Sequence, residues 1–141
     1  MRTTGHLYDY LGDVGSIYHC PEDIGPFNNT AAFARDLSSY QFNGATSGYG
    51  NLRVGQTYTI SNMRGDAIFM WETDETRIGG VWNDGGNRPD EGISRRHVLG
   101  APVGFIDGSA AQMLYDEYYG IVSDPLANSL WCNPKSPNGR R

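Results

Sequence analysis

Long apolar runs are missing from this 141-residue chain. No stretch approaches the roughly 18 consecutive apolar residues of a membrane-crossing helix. A secretory leader is not visible either: Met1-Arg2-Thr3-Thr4-Gly5 leads straight into Leu7-Tyr8-Asp9-Tyr10. Taken alone, these two absences describe a soluble, cytosolic protein. Basic charge is scarce as well. Lys plus Arg number 11 against 16 Asp plus Glu, a formal net charge of -5. With no basic stripe, nucleic acid is not an expected partner. Cysteine is limited to Cys20 and Cys132, near opposite ends, and neither belongs to a C-x-x-C or to a Cys/His pair at zinc spacing. They read as two free thiols in a reducing compartment or as one disulfide, and the disulfide is the expectation carried forward. It closes a loop on the order of 100 residues, worth up to about 4–5 kcal/mol in the chain-entropy model. Catalytic motifs are also lacking: there is no G-x-S-x-G, no H-E-x-x-H and no P-loop.

What is present is glycine (19), proline (7) and tyrosine (9), on a background only 38% hydrophobic. The chain is loop-rich, one domain spans 1–141, and large aromatic side chains must supply much of the burial. A helical turn is expected at Leu7–Leu11, then an extended approach to Cys20, which Pro21 restricts. Asn28-Asn29-Thr30 fits a glycosylation sequon and, more simply, the N-cap of a helix over Ala31–Asp36. Strands are expected near 38–42, 67–72, 102–106 and 109–114. The run Ala67-Ile68-Phe69-Met70-Trp71-Glu72 is apolar throughout until its closing carboxylate, which suggests a strand covered on both faces. Residues 44–56 read as loop, and Tyr58–Met63 stays open between strand and helical turn. Residues 73–94 form a long acidic connection, pinned to the body by Trp82. Asp107-Gly108 suits a two-residue type I′ turn joining the last two strands.

Three groups of residues invite a chemical reading. His97 and Asp107 flank the first hairpin strand. They could form an acid–base or metal pair, or a structural tie in which the imidazole N–H fastens the approach loop. The structural reading is preferred for His97, Asp107 and Gly108. The acidic loop offers Asp84, Asp90 and Glu91 as weak calcium candidates, against the simpler reading of a solvated acidic loop. The aromatic groups Tyr8/Tyr10, Tyr115/Tyr118/Tyr119 and Trp71/Trp82/Trp131 could line a carbohydrate-binding face, although core packing is the commoner fate of such residues.

Several separated pieces resemble one known family. They are Leu7-x-x-Tyr10-Leu11, then Tyr18-x-Cys20-Pro21-x-Asp23, then Ser39-Tyr40-x-x-Asn43-Gly44. Later come Arg96-His97, Phe105-x-Asp107-Gly108 and Trp131-Cys132-Asn133-Pro134-x-Ser136-Pro137-x-Gly139-Arg140. In this order they resemble type II secretion protein G-like pseudopilins with a prepilin-type N-terminus, from about residue 7 onward. Ser109 stands where the family has His after Asp-Gly, which weakens any His-pair metal site at the hairpin. The resemblance implies an α+β head with a small antiparallel sheet, short helices and long loops, without the family's long N-terminal helix. It implies a non-catalytic structural subunit with no catalytic residues, no cofactor and no metal beyond the calcium possibility. Its partners would be other pseudopilin subunits at the periplasmic or extracellular face of the cell envelope, and its only membrane contact would be through that N-terminal helix. The alternatives are a secreted ligand- or carbohydrate-binding module and, behind it, a hydrolase using His97 and Asp107.

Overall fold

The most apolar run of the chain becomes the middle of a five-stranded sheet. The structure, a computed structural model, describes residues 10, 15–24, 38–52, 56, 58–74 and 86–140. Its strands are β1 (Tyr40–Asn43), β2 (Ile68–Glu72), β3 (Gly86–Asn87), β4 (Gly100–Phe105) and β5 (Ala110–Leu114), in the spatial order β3-β1-β2-β4-β5. A helix, α1 (Tyr115–Ser123), follows β5 without a linker. The domain is therefore α+β, as the sequence suggests. The sheet is mixed, however: the two-residue β3 lies parallel to β1, and the other pairs are antiparallel.

β2 pairs Trp71 with Gln41 on one side and with Val103 on the other. Its register with β4 slips between Ile68 and Met70, a β-bulge. The bulge lets Ile68 and Trp71 both face the main core despite their odd spacing. That core holds Ile68, Trp71, Ile93, Ala101, Val103, Met113, Tyr118 and Leu130. The large rings meet with their polar tips satisfied. Trp71 Nε1 donates to the Gly92 carbonyl at 3.0 Å, and the Tyr118 hydroxyl donates to the Pro89 carbonyl at 2.9 Å. Full burial of each large apolar side chain contributes about 1.5–3 kcal/mol.

α1 has modest intrinsic helix propensity, since it is built from Tyr, Ile, Val and Gly120. Asp116 and Glu117 in its first turn complement the positive helix end. Tyr118 in the core fixes the helix by tertiary packing.

The hairpin between β4 and β5 differs from the expected two-residue turn. Type I′ needs positive φ at both central residues, but only Gly108 has it, at 87°. Phe105 and Ser109 instead close a three-residue loop. The Phe105 N–H donates to the Ser109 carbonyl at 2.9 Å, and the Gly108 N–H to the Phe105 carbonyl at 3.0 Å. Asp107 Oδ1 accepts from the Ser109 N–H and hydroxyl, so the aspartate shapes the loop without entering the left-handed region.

The tail closes the other end of the sheet. The Ile68 N–H donates to the Ser129 carbonyl at 2.8 Å. Trp131 and Cys132 join Ala45, Tyr49 and Ala67 in a second buried cluster. Gly139 has φ of 70°, and a Cβ there would lie 1.7 Å from the Trp131 carbonyl oxygen. The Asn-Pro-x-Ser-Pro-x-Gly pattern is thus the sequence of a tight return loop. The expected turns at Leu7–Leu11 and Ala31–Asp36 lie almost wholly outside the described residues, as do Trp82 and Asp84. Tyr58–Met63 resolves into a 3-10 turn at Ile60–Asn62, and a further 3-10 segment spans Gly44–Gly50.

Candidate functional site

Strand alternation places Tyr40 and Glu72 on the sheet face opposite the main core. A carboxylate there would ordinarily meet water, yet Glu72 is 0% exposed. It is covered by two segments far apart in sequence, the stretch around Cys20–Asp23 and the approach loop Arg95–His97.

Their side chains converge on it. His97 Nε2 lies 3.2 Å from Glu72 Oε2 and 3.3 Å from Oε1. The same nitrogen lies 3.4 Å from Cys20 Sγ. Arg96 reaches Asp23 Oδ2 at 3.2 Å and Glu72 Oε2 at 3.7 Å. Ser39, at the start of β1, completes the frame: its Oγ accepts from the Cys20 N–H at 2.9 Å and donates to Asp23 Oδ2 at 2.7 Å. Cys20, Asp23, Ser39 and Glu72 are all buried. From the helix side, the Tyr115 hydroxyl donates to the His97 carbonyl, and Arg95 lies 4.7 Å over the Tyr115 ring.

Burial pushes the Cys20 thiol pKa up, and the Glu72 carboxylate beside it adds to the rise. Burial also raises the Tyr40 phenol, again with the Glu72 charge contributing. A nucleophilic cysteine needs the opposite shift. It also needs an imidazole that accepts from the thiol on one ring nitrogen while the other is held by the acid. Here Nε2 faces both the thiol and the carboxylate, so the ring cannot relay a proton between them. The arrangement gathers donor atoms around a common point and ties three segments together.

Several expectations are corrected. Asp107 is not the partner of His97: it sits exposed at the hairpin tip, bonded to Ser109, with the length of β4 between them. The six residues of β4 span about 20 Å. Cys20 and Cys132 are not bridged; both are free and buried. Cys20 is bonded through its N–H to Ser39, just ahead of β1, while Cys132 Sγ lies 3.5 Å from the amide of Asn43 at the other end of β1. Four strand steps of about 3.3 Å each separate those anchor points, against the 4.4–6.8 Å between Cα atoms that a disulfide needs. Burial pushes the Cys132 thiol up to about 12.

Of the calcium candidates, Asp84 lies outside the described residues, and Asp90 and Glu91 both have partners. The Arg88 guanidinium holds Asp90 at 3.1 Å, and Glu91 Oε2 accepts from the Arg88 N–H at 2.6 Å. Among the described members of the aromatic groups, Trp71, Trp131 and Tyr118 are buried in packing. A cleft of about 160 Å³ opens between Tyr49, Arg88, Trp131 and Arg140. It is smaller than the roughly 300 Å³ at which ligand pockets begin.

Glu72, Asp23, Arg96 and Ser39 stand in stretches that the sequence marked, but none was named as a site residue. The available signals were the carboxylate that closes an otherwise apolar strand and the Arg96-His97 pair. Comparison with family models, with curated proteins and with solved structures gives no match in any of the three.

Proposed function

We propose that this chain is the globular head of a pseudopilin-like subunit, a non-catalytic building block that assembles with copies of itself or with sibling subunits at the cell envelope. The observation that supports this reading is the character of the outer sheet face. Phe42 and Met70 stand opposite each other there, and Met70 pairs with Gly104. The Phe69 ring lies 5.3 Å from that of Phe42. Phe42 is about half exposed, at 49%, and at the opposite end of β4 Leu114, at 50%, and the exposed Val98 and Leu99 add further apolar surface. Such a surface favours a covering apolar element. In the family that the sequence resembles, a long N-terminal helix supplies the membrane anchor and the filament core, and the apolar patch around Phe42 and Met70, on the part of this face away from the covered Glu72, is what such a helix can pack on. The buried Glu72 cluster fits a framework role, because it ties the residue-20 stretch, β2 and the approach loop together.

Fractionation of the native host, combined with cross-linking, tests this. A photo-crosslinkable residue at position 42 is expected to capture a prepilin-type helix, in cis or from a sibling subunit, in the envelope fraction. Phe42→Asp should abolish capture with little loss of stability, since the side chain is half exposed. A protein found only as a monomer in the soluble fraction, with no cross-link at position 42, would overturn the proposal.

A further inference from the structure

The convergence of thiol, imidazole and carboxylate at one point has a second consequence, independent of the head-domain reading. We propose that Cys20 Sγ, His97 Nε2 and the Glu72 carboxylate form a three-ligand site for a divalent transition-metal cation of the zinc class. The three donor atoms lie within 4.8 Å of one another. Zinc bond lengths of about 2.3 Å to sulfur and 2.0–2.1 Å to nitrogen and oxygen put the edges of a tetrahedral site at about 3.3–3.6 Å. The observed S···N edge is 3.4 Å, and the N···O edges are 3.2 and 3.3 Å. The S···N and N···O edges are therefore already close to coordination spacing, and the S···O edge is within 4.8 Å.

Hydrogen bonding accounts for these contacts less completely. One ring nitrogen faces the sulfur and both carboxylate oxygens, and it carries at most one proton. Glu72 Oε2 is fully buried and makes no hydrogen bond. Its charged neighbours, the His97 ring nitrogen at 3.2 Å and the Arg96 guanidinium at 3.7 Å, do not hydrogen-bond it, and a cation between the three donors would take up that oxygen. The charges also balance. Arg96 stands between Asp23 at 3.2 Å and Glu72 at 3.7 Å, and its one positive charge against two carboxylates and a thiolate leaves two negative charges for a divalent ion. The donor set selects the metal class, since thiolate and imidazole suit zinc and its neighbours and not calcium or magnesium. The side chain of His97, 28% exposed, offers the route in. Binding exchanges the thiol proton for the metal: the S–H bond breaks, the proton leaves to solvent, and the sulfur lone pair forms the metal bond. The ion would then fasten the residue-20 segment, β2 and the approach loop at one point, with water in the fourth position.

Full-length protein stripped with a chelator is titrated with Co²⁺ and, separately, with Zn²⁺. The expected results are one metal per chain, a thiolate-to-cobalt charge-transfer absorption displaced by zinc, and a higher melting temperature with zinc. Cys132→Ser should keep the absorption. Cys20→Ser should lose it, and His97→Gln and Glu72→Gln should weaken zinc retention at least about tenfold. If any of these variants fails to fold, the wild-type and Cys132→Ser spectra decide. Folded wild-type protein that gives no charge-transfer band and retains no zinc at micromolar free metal overturns the site. So does a band that disappears in folded Cys132→Ser.

Discussion

Replacing Asn43 with alanine is expected to be among the most damaging single changes in this domain. The residue is 0% exposed at the end of β1. Its Nδ2 donates to the Ile68 carbonyl at 2.8 Å and to the Leu130 carbonyl at 2.9 Å, and its Oδ1 accepts from the Ala45 N–H at 2.9 Å. One amide thus ties β1 to β2, to the tail and to the turn that follows. Alanine leaves one N–H and two carbonyl acceptors without this partner. A buried donor without a partner costs about 1–3 kcal/mol, and carbonyls, with two lone pairs each, somewhat less. The total comes to about 3 kcal/mol. For a chain of this size that lowers the melting temperature by about 6–12 °C and the urea midpoint by about 1–2 M. Asn43→Asp keeps the shape but turns a donor against two carbonyls, so it should be worse at neutral pH and partly recover in acid, where the carboxyl can donate. Urea and thermal unfolding followed by tryptophan fluorescence measure both. An Asn43→Ala variant within 0.5 kcal/mol of wild type would refute the reasoning, because exposed polar sites show losses of that size.

Gly139→Ala combines a positive φ of 70° with a Cβ 1.7 Å from the Trp131 carbonyl oxygen. A loss of about 3 kcal/mol or more is expected, and Gly50→Ala, with no atom within 4 Å of its Cβ, separates the steric cost from the conformational one. Arg96→Leu leaves Asp23 and Glu72 buried without their cation and should cost about 3–5 kcal/mol in chemical denaturation. In alkali, Cys132 holds its proton from its ordinary 9.0 up to about 12, and the buried Tyr49 phenol is also raised. The unfolded chain loses these protons first. The stability they represent is complete below about pH 9 and is lost as pH climbs toward 12, by about 1.4 kcal/mol per unit for Cys132. A denaturation series from pH 8 to 11.5 should show a shallower decline in Cys132→Ala, and identical slopes would remove the assignment.

The parts of the fold that were legible in the sequence are those where local pattern and burial agree. The apolar run of β2 and the Asp-Gly break between β4 and β5 could be read directly. β3 could not, because Gly86-Asn87 carries no strand pattern and exists only through pairing with β1. α1 was hidden because its residues favour strands as much as helices, and the burial of Tyr118 decides the matter. At the site, His97 was named as a structural tie, and the carboxylate it meets is Glu72, not the Asp107 that the sequence offered as a possible pair. Proximity along the chain pointed to Asp107, whereas contacts across the sheet are set by register, and Trp71↔Val103 brings the end of β2 toward the approach loop. The cysteine pair failed for the same reason. Position near the two ends of a chain says nothing about which end of a strand each residue will meet.

The return loop of the tail also constrains when the protein can become itself. The first residue of the middle strand is hydrogen-bonded to Ser129, and the amide of Asn43 is bonded to Leu130. Both partners belong to a segment synthesised after every strand. A nascent chain emerging from the ribosome therefore carries all five strands before it carries the residues that bond them to the tail, so these two ties are the last of the sheet's contacts that can form.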